Sequence, residues 1–326
     1  MEQIMTPYVI GVDLGGTRIR AARLDPNLKI LHRVETLTLA HQGLEPTLQR
    51  IQDQIRQVMT NTEECLGIGI SAPGPLNPET GVIVSPPNLP GWHDVPLGNV
   101  LHETFNIPIF AGNDANVAAL AEAALGAARG YRHVIYVTVS TGVGSGIITD
   151  GRLLLGKSGL AAEAGHMQML VGERVSSLEL ETAGPDMAEQ AKQRIKAGEH
   201  SALFEMVNGK IDQIDAATIG KAAQNGDPLA LSIVTRSGTI LGLGIVNLLH
   251  LFNPEIVIIG GGVSNLGNLL FDPMHAAIQQ YCIDDAYWKD TIFTTPDLGE
   301  DVSIYGAAAL VITDGGKKPL EMQFNN

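Results

Sequence analysis

The chain has 326 residues, of which 44% are hydrophobic and 17% charged, a composition that fits a globular protein with a large core. At roughly 150 residues per domain, this length predicts two domains. The formal net charge is −14, and the sequence has no cluster of Lys and Arg that could contact the phosphates of a nucleic acid. We therefore expect no nucleic-acid partner.

The start of the chain, its apolar runs and its cysteines indicate whether the protein is secreted or membrane-bound. The opening MEQIMTPYVIG has no basic region, so a signal peptide is not expected. No apolar run approaches the roughly 20 residues that span a bilayer, so we expect no membrane contact. Cys65 and Cys282 are predicted to be plain buried thiols. These features together predict a cytoplasmic protein.

Strands and helices alternate along the first part of the chain. The hydrophobic spacing predicts strands at Tyr8–Asp13, Ile19–Leu24 and Lys29–Val34, a helix carrying Leu44, Leu48, Ile51, Ile55 and Val58, a strand at Leu66–Ser71, a helix at Leu97–Phe105, a strand at Ile107–Ala111 and a helix at Ala115–Ala127. The prolines of VSPPNLPGW exclude helix and central strand, so this segment is predicted as a loop.

The segment HVIYVTVSTGVGSGIITDGRLL repeats the pattern of the opening. It aligns with residues 8–29 without a gap, at an offset of about 125 residues. Gly15-Gly16 falls on Ser140-Thr141, the turn acid Asp25 on Asp150, and Asp13 on Thr138. A chance match of two strand and turn patterns is the alternative, but both turns coincide, so we favour a duplicated domain core.

The remainder of the chain is predicted as mixed α/β structure. Ala161–Met169 is predicted as a loop or short strand, and a mostly helical stretch follows to about Leu251. Glu255–Ile259 is predicted as a buried strand that enters three glycines. A last helix over Val302–Val311 presents a face of small residues.

Two glycine turns follow corresponding strands of the repeat. In Gly15-Gly16-Thr17 and Thr141-Gly142, glycine lets a backbone approach an anion closely. Neither turn is a Walker loop or a dinucleotide fingerprint, because the required Lys and third glycine are absent. A hairpin turn is the plain alternative for one of them. Two such turns predict a site that holds a polyphosphate chain.

Three groups of polar residues are candidates for chemistry. Asp13 interrupts an apolar strand beside the first turn, and magnesium is its natural partner, although a turn cap is the alternative. Asn113-Asp114 ends a strand, where Asp114 is either a helix cap or a general base. Glu163 and His166 lie in GLAAEAGHMQM, where site-rim residues compete with a solvated charge and a core histidine.

These motifs together resemble those of the ROK family of bacterial sugar kinases, within the actin, hexokinase and Hsp70-like superfamily. The matching pieces are GVDLGGT, PNLPGW, GNDANVAALAE, STGVGSGII, AEAGH and IIGGGVS, in the family's order and across nearly the whole chain. The resemblance implies a two-domain ribonuclease H-like α/β fold with a duplicated βββαβα core around a deep cleft. We expect a small domain of residues 1–113 plus 303–326 and a larger domain of residues 114–302.

The resemblance also implies roles for the candidate residues. Asp114 is expected as the catalytic base that deprotonates a sugar hydroxyl for attack on ATP. The implied sugar ligands are Asn88, Asn113, Asp114, Glu163, His166 and Glu181. Phosphate and nucleotide contacts are implied for Asp13, Gly15, Gly16, Thr17, Thr141, Gly142, Gly260, Gly261 and Gly262, with Asp13 holding Mg²⁺ directly or through water.

One departure from the family pattern concerns zinc. Many members have a cysteine-rich loop after the Gly-His pair, whereas the segment GHMQMLVGERVSSLELETAGPDM has no cysteine. Four thiolate or imidazole ligands are therefore lacking, and we predict no structural zinc. Glu181 is placed by aligning LETAGPDM across this shortened loop. Met167, Met169 and Leu170 are predicted to order the loop instead.

The resemblance leaves several functions open. Glucose with ATP as donor is the expected reaction, because PNLPGW and GNDAN resemble glucokinases. Fructose, mannose, N-acetylmannosamine, N-acetylglucosamine and a polyphosphate donor are alternatives, as is a sugar-sensing protein without turnover. Too few residues precede Asp13 for the helix-turn-helix domain of repressor members. A homodimer or homotetramer is expected.

Overall fold

The computed structural model describes residues 6–86 and 88–320, so Pro87 of the predicted VSPPNLPGW loop and both chain ends lie outside it. The chain forms two compact units. Unit 1 takes its described residues from Met1–Ile135, Gly146–Ala162 and Pro296–Asn326. Unit 2 consists of Tyr136–Ser145 and Glu163–Thr295.

Strands and helices alternate through most of the described chain. The strands are β1 (Tyr8–Leu14), β2 (Arg18–Leu24), β3 (Ile30–Leu37), β4 (Cys65–Ala72), β5 (Leu76–Asn77), β6 (Val82–Ile83), β7 (Ile109–Asn113), β8 (Val134–Val139), β9 (Val143–Thr149), β10 (Arg152–Leu153), β11 (Gln168–Val171), β12 (Arg174–Ser177), β13 (Ile256–Gly260) and β14 (Ile292–Thr294). The α-helices are α1 (Leu44–Val58), α2 (Leu97–Phe105), α3 (Asp114–Ala124), α4 (Leu178–Thr182), α5 (Gly184–Lys196), α6 (Ala202–Met206), α7 (Ala216–Gln224), α8 (Pro228–Phe252), α9 (Asn268–Tyr281) and α10 (Val302–Ile312).

The first sheet has the strand order β3-β2-β1-β4-β7. β1 pairs antiparallel with β2 and parallel with β4, and β4 pairs parallel with β7. The register places Asp13 opposite Ser71, and Ser71 opposite Gly112. Because the parallel strands end at one edge, the residues at their carboxyl ends are gathered there.

Apolar faces on both sides of this sheet hold unit 1 together. α1 buries Leu48, Ile51, Ile55 and Val58, as its spacing predicts. α10 packs on β1, β4 and α3, and its residues Gly306–Val311 are buried. The last helix therefore lies on the first sheet, in agreement with its predicted face of small residues.

The second sheet has the order β10-β9-β8-β13-β14, which corresponds position by position to the first. β10 is antiparallel to β9, and β13 is parallel to β14. Residues 9–14 and 134–139 also share one burial pattern, with a single partly exposed residue at Asp13 and at Thr138. The predicted α/β fold with a duplicated core is confirmed.

The structure differs from the predicted elements in two segments. The strand predicted at Ile107–Ala111 is shifted to β7, which ends at Asn113. Part of the stretch predicted as mostly helical forms the antiparallel hairpin of β11 and β12, in which Val171 pairs with Arg174. Gly172 in the turn has φ 63°, a value that suits a tight two-residue hairpin better than a helix.

α8 is longer and more apolar than the sequence analysis allowed. Its 25 residues suffice in length and composition to cross a bilayer, contrary to the expectation that no apolar run approaches that length. Most of its apolar stretch is buried inside the protein, and Leu241, Ile245 and Leu249 are fully enclosed. A core helix meets the same criterion, so α8 does not indicate membrane insertion.

The compact units divide the chain at other residues than the predicted domains 1–113 plus 303–326 and 114–302. α3 begins at Asp114 and packs against α10, so residues after 113 belong to unit 1. Residues 146–162, which include β10, also belong to unit 1. The domain limits remain a prediction.

Candidate active site

Three oxygen-bearing side chains meet at the carboxyl edge of the first sheet in unit 1. Asp13 lies near the end of β1, Ser71 near the end of β4, and Asp114 opens α3 directly after β7. The buried Ser71 hydroxyl donates to Asp114 Oδ1 at 3.2 Å. The two carboxyl groups are close enough for the charge of Asp114 to raise the pKa of Asp13.

Asp13 is a poorly compensated carboxylate. Its side chain is only 15% exposed, and Arg20 Nη1 lies 3.3 Å from Oδ2. Burial and the neighbouring charge of Asp114 raise its pKa to about 6, despite opposing contributions from Arg20 and Ser303. The arginine therefore does not fully satisfy this group, which keeps a demand for further positive charge.

Asp114 is available for chemistry and is not the helix cap. The cap of α3 is Asn113, whose Oδ1 accepts from the N–H of Asn116 at 2.8 Å. Asp114 remains exposed, although surrounding protein desolvates it and raises its pKa, against the Ser71 hydrogen bond that lowers it. A raised pKa suits a general base. Because Asn113 caps α3, the capping alternative for Asp114 is removed.

The first glycine turn lies against the PNLPGW loop. A Cβ on Gly16 would come within 2.9 Å of Asn88 Cβ, so glycine is required for this close approach. Neither Gly15 nor Gly16 has a positive φ. The exposed Asn88 is held there because Leu89 and Trp92, which follow it in the chain, are buried in the core. The Thr17 side of the turn stays open to solvent.

The second glycine turn lies against Glu179 in unit 2. Glu179 Oε2 accepts from Val143 N–H at 2.8 Å, and a Cβ on Gly142 would approach the same oxygen to 2.5 Å. Glu179 was not among the predicted residues. The predicted residue Glu181 is fully buried, and its two carboxylate oxygens bind Arg174 and Arg236. Glu181 is therefore not free to accept from a sugar, contrary to its predicted role.

The glycines at the end of β13 form a tight turn. Gly261 has φ 87°, and a Cβ there would lie 2.3 Å from the carbonyl oxygen of Val139. Gly262 has no such restriction and begins a short 3-10 helix, Gly262–Leu266. Only glycine therefore fits at position 261.

Unit 2 contains a pocket of about 730 Å³. Thr141 and Gly262 line it, together with the start of α5 at Gly184 and Pro185 and the first turn of α7. Apolar residues cover much of the wall, and Lys192 and Lys221 add positive charge. The N-terminus of the 13-residue α5 adds a partial positive charge, which suits an anion beside the Ser140–Thr141 turn.

Glu163 precedes a short 3-10 helix, Ala164–His166, and His166 is its last residue; this helix lies against β9. The N–H of Ala164 donates to Ser145 Oγ, and a Cβ on Gly165 would overlap the carbonyl of Val143. Both Glu163 and His166 are exposed. Exposure removes the core-histidine alternative for His166, whereas the exposed Glu163 still fits a solvated loop charge.

No metal-ligand cluster is found in the described residues. Across 6–86 and 88–320, no three His, Cys, Asp or Glu side chains are grouped to hold an ion. The segment after His166 offers Ser176, Ser177 and Arg174 instead of thiolates, so its side chains do not fit a structural zinc. Met169 is buried, but Leu170 is 77% exposed and does not pack beneath the loop as predicted.

Several residues of these sites escaped the sequence analysis. Ser71 could have been found from the strand register, since it ends the strand next to Asp13. The α5 and α7 residues of the pocket carry no motif, only the Gly-Pro pair at the start of a helix. Glu179 had no detectable distinction from Glu181 in the sequence.

Comparison with known proteins places this arrangement in one class, the sugar kinases with an actin-like ATPase fold. The ROK family pattern matches residues 9–314. A glucokinase from Thermotoga maritima is 35% identical over 309 residues, covering 93% of this chain and 96% of the relative. The chain belongs to the ROK family.

Two solved structures resemble the chain. The ROK hexokinase from Thermus thermophilus is 30% identical with a TM-score of 0.77, covering 92% of this chain and 97% of its own. A ROK glucokinase from Streptomyces griseus in complex with glucose and AMPPNP is 31% identical with a TM-score of 0.72, covering 93% and 98%. The recognised family and the two-domain α/β fold are thereby confirmed.

Proposed function

We propose that the protein is an ATP-dependent glucokinase that converts glucose and ATP to glucose 6-phosphate and ADP. The observation that carries this is the accessible Asp114, which is freed from helix capping by Asn113 and hydrogen-bonded by Ser71. A sensor without turnover needs no base at this position. The glucokinase and hexokinase relatives, similar over nearly the full chain, support the same reaction.

Asp114 acts as the general base in this proposal. Its ionised carboxylate takes the proton of the sugar hydroxyl as that oxygen attacks the γ-phosphorus. The new O–P bond forms while the bond to the β,γ-bridging oxygen breaks, and ADP leaves with the electron pair. Because burial raises the pKa of Asp114, the carboxylate is a stronger base than one in water.

We assign the remaining sugar contacts to Asn88, Asn113, Glu163 and His166. The Oδ1 of Asn113 is occupied by the N–H of Asn116, so its amide group contributes as a donor. Asn88, Glu163 and His166 are exposed and sit on backbone fixed by packing or hydrogen bonds. Polar groups on fixed backbone orient a polyol better than apolar walls do.

The nucleotide is assigned to the pocket of unit 2. Thr141 and the α5 N-terminus take phosphates, while Gly262 and the apolar wall take the adenosine. A slot of this size with apolar walls suits a base and ribose and is superfluous for a polyphosphate chain. Gly142 and Gly261 support the pocket by permitting close backbone approach.

Asp13 with the Gly15–Thr17 turn is assigned to Mg²⁺ and phosphate handling. The fit rests on the incomplete compensation of Asp13 by Arg20, which leaves a hard carboxylate oxygen in need of positive charge. Asp13 would hold a magnesium ion directly or through water, and the ion would supply positive charge that neutralises the phosphates.

A coupled assay that detects ADP in the presence of ATP, Mg²⁺ and glucose tests the proposal. We expect turnover with glucose, and a panel of fructose, mannose, N-acetylmannosamine and N-acetylglucosamine measures how strongly glucose is preferred. ADP formation at background level with every sugar would remove the kinase function. A higher kcat/KM for another hexose would keep the reaction and change the substrate. A cytoplasmic location and an assembly of two or four copies remain predictions.

A further inference from the structure

The carboxylate of Glu181 in unit 2 is fully buried and forms two ion pairs. Its side chain has no solvent exposure, and Arg174 Nη2 lies 2.5 Å from Oε1 while Arg236 binds Oε2. Burial raises the pKa of this carboxyl, but hydrogen bonds from Ser176 and Arg236 and the two positive charges lower it by more. The net pKa is lowered, so the carboxyl stays ionised. We call Arg174, Glu181 and Arg236 the ion cluster.

The ion cluster joins the neighbouring elements β12 and α4 to α8, which lies much further along the chain. Arg174 is on β12, Glu181 on α4 and Arg236 on α8, and Arg236 also donates to Gln190 of α5 at 3.0 Å. α4 has only five residues, which is too short to be stable without tertiary contacts. Its attachment to α8 through Glu181 therefore sets where α4 lies.

The position of α4 in turn sets the backbone after His166. The N–H of Leu178, the first residue of α4, donates to the carbonyl of Met167 at 3.0 Å. Gln168 pairs with Ser177 at the open end of the β11–β12 hairpin. Met167 and Gln168, which directly follow His166, are thus tied to Ser177 and Leu178 at the start of α4.

A second functional residue depends on the same helix. Glu179 lies between Leu178 and the ion cluster residue Glu181, and it binds the N–H of Val143 in the second glycine turn. Successive helical residues are turned by about 100°, so Glu181 can face α8 while Glu179 faces the turn. A shift of α4 would move both the turn and the His166 loop.

We infer that Arg174, Glu181 and Arg236 are positioning residues that fix the His166 loop through α4, in a segment whose side chains cannot bind zinc. A buried carboxylate is costly unless it is well paired, so this arrangement needs a purpose other than packing alone. The inference rests on the proposed function, because it assigns the cluster to sugar binding through His166.

The experiment compares Glu181→Gln with the wild-type enzyme. We expect the KM for glucose to rise about tenfold or more, and the KM for ATP to rise by a smaller factor, because Glu179 also ties α4 to the second glycine turn. Arg236→Lys, which keeps the charge but not the planar fork, is expected to raise the glucose KM by an intermediate factor. The matched control is Glu199→Gln, which removes an exposed carboxylate paired with Arg194 in the same unit. It should leave both KM values within about twofold.

Hydrogen exchange supplies a readout that does not depend on turnover. In Glu181→Gln, the amides of Gln168–Ser177 and Leu178 should exchange about tenfold faster than in wild type, while Glu199→Gln leaves them unchanged. Faster exchange with an unchanged glucose KM would mean that the cluster stabilises the hairpin only, and this overturns the positioning role. Unchanged exchange also overturns it.

Two outcomes need a further experiment: failure of Glu181→Gln to fold, and absence of hexose phosphorylation by the wild type. If Glu181→Gln fails to fold, Arg174→Ala replaces it, because Arg174 is 61% exposed and its removal leaves Glu181 paired with Arg236. Its glucose KM should rise about threefold, and a value equal to wild type overturns the inference. If wild-type protein phosphorylates no hexose, the proposed function fails. The glucose Kd of wild type and Glu181→Gln, measured by calorimetry, then replaces the KM comparison beside hydrogen exchange, and an unchanged Kd overturns the positioning role.

Discussion

The two glycine turns have the same place in their sheets but different surroundings. The first follows β1, where Asp13 lies beside a second carboxyl group at the edge that also holds Ser71. The second follows β8, where Thr138 occupies the position of Asp13 and the nearby acid, Glu179, binds a backbone N–H. The same strand order therefore accommodates a carboxylate at this position in one copy and a hydroxyl in the other.

This difference shows that the duplicated core does not need the acid. Both strands have the same burial pattern and the same single partly exposed position, whichever residue occupies it. A carboxylate kept at Asp13 despite a pKa raised to about 6 has a cost that the copy with Thr138 avoids. In the proposed function, the first copy thus supplies the acidic side chains and the second supplies the nucleotide pocket.

The largest expected effect comes from removing the base of the first copy. Asp114→Asn should lower kcat by roughly 10²–10⁴-fold, because the amide cannot accept the hydroxyl proton. Glucose binding, measured by calorimetry, should weaken by less than about tenfold, since Asn113 keeps capping α3. Asp25→Asn, an Asp in a turn of the same unit, is the matched control. Joint loss of binding and folding in Asp114→Asn would indicate a structural residue instead.

Asp13→Asn should give opposite changes in activity and stability. Activity should fall about a hundredfold, because the amide is a poor partner for a hard cation. At pH 8 the variant should be more stable than wild type by up to about 3 kcal/mol, since the wild-type carboxyl must ionise at an unfavourable site.

The sign of this second effect depends on pH. The folded-state pKa of Asp13 is raised from 3.8 to about 6. Ionisation of Asp13 therefore costs the wild type no stability below pH 4, and the cost grows as the pH rises through 6. Urea unfolding of both proteins between pH 4 and pH 8 checks this. An advantage of Asp13→Asn that does not shrink toward pH 4 would show that ionisation is not its cause.

Local sequence patterns were sufficient for most strands and helices but not for the links between them. The apolar run of Tyr8–Leu14 and the helical spacing of Leu44–Val58 lie within neighbouring residues, so both elements were predicted. The β11–β12 hairpin depends on a turn at Gly172 and on pairing with exposed side chains, which a mostly helical reading of the region missed.

The acids of the site show the same limit. Asp13 and Asp114 could be picked out because each interrupts or ends a strand. Glu179 and Glu181 are two residues apart on one short helix, and nothing local shows which of them faces the core. Arg236, which decides the matter, is 55 residues further along the chain.

The turn at the end of β13 should be disrupted by a methyl group at Gly261 and not by one at its neighbour Gly262. Gly261→Ala places a side chain at φ 87° and within 2.3 Å of Val139 O, so it should cost about 2–4 kcal/mol of unfolding free energy. In Gly262→Ala the nearest atom, Ser140 Oγ, is 3.9 Å away, and the expected cost is below about 0.5 kcal/mol. Urea midpoints compare the two, and equal losses would contradict the assigned geometry.

The smallest effect should come from Ser71, which tunes the base of the first copy without replacing it. Its hydroxyl lowers the pKa of Asp114, so Ser71→Ala should raise that pKa and move the acidic limb of the kcat/KM profile upward by at most about one pH unit. Above the limb the rate should change less than about threefold, because the base is ionised in both proteins. Ser232→Ala, in α8 of unit 2, should leave the profile where it is. A limb that does not move in Ser71→Ala would mean that it reports Asp13, whose pKa the serine does not set, and the Asp13→Asn profile then identifies the group.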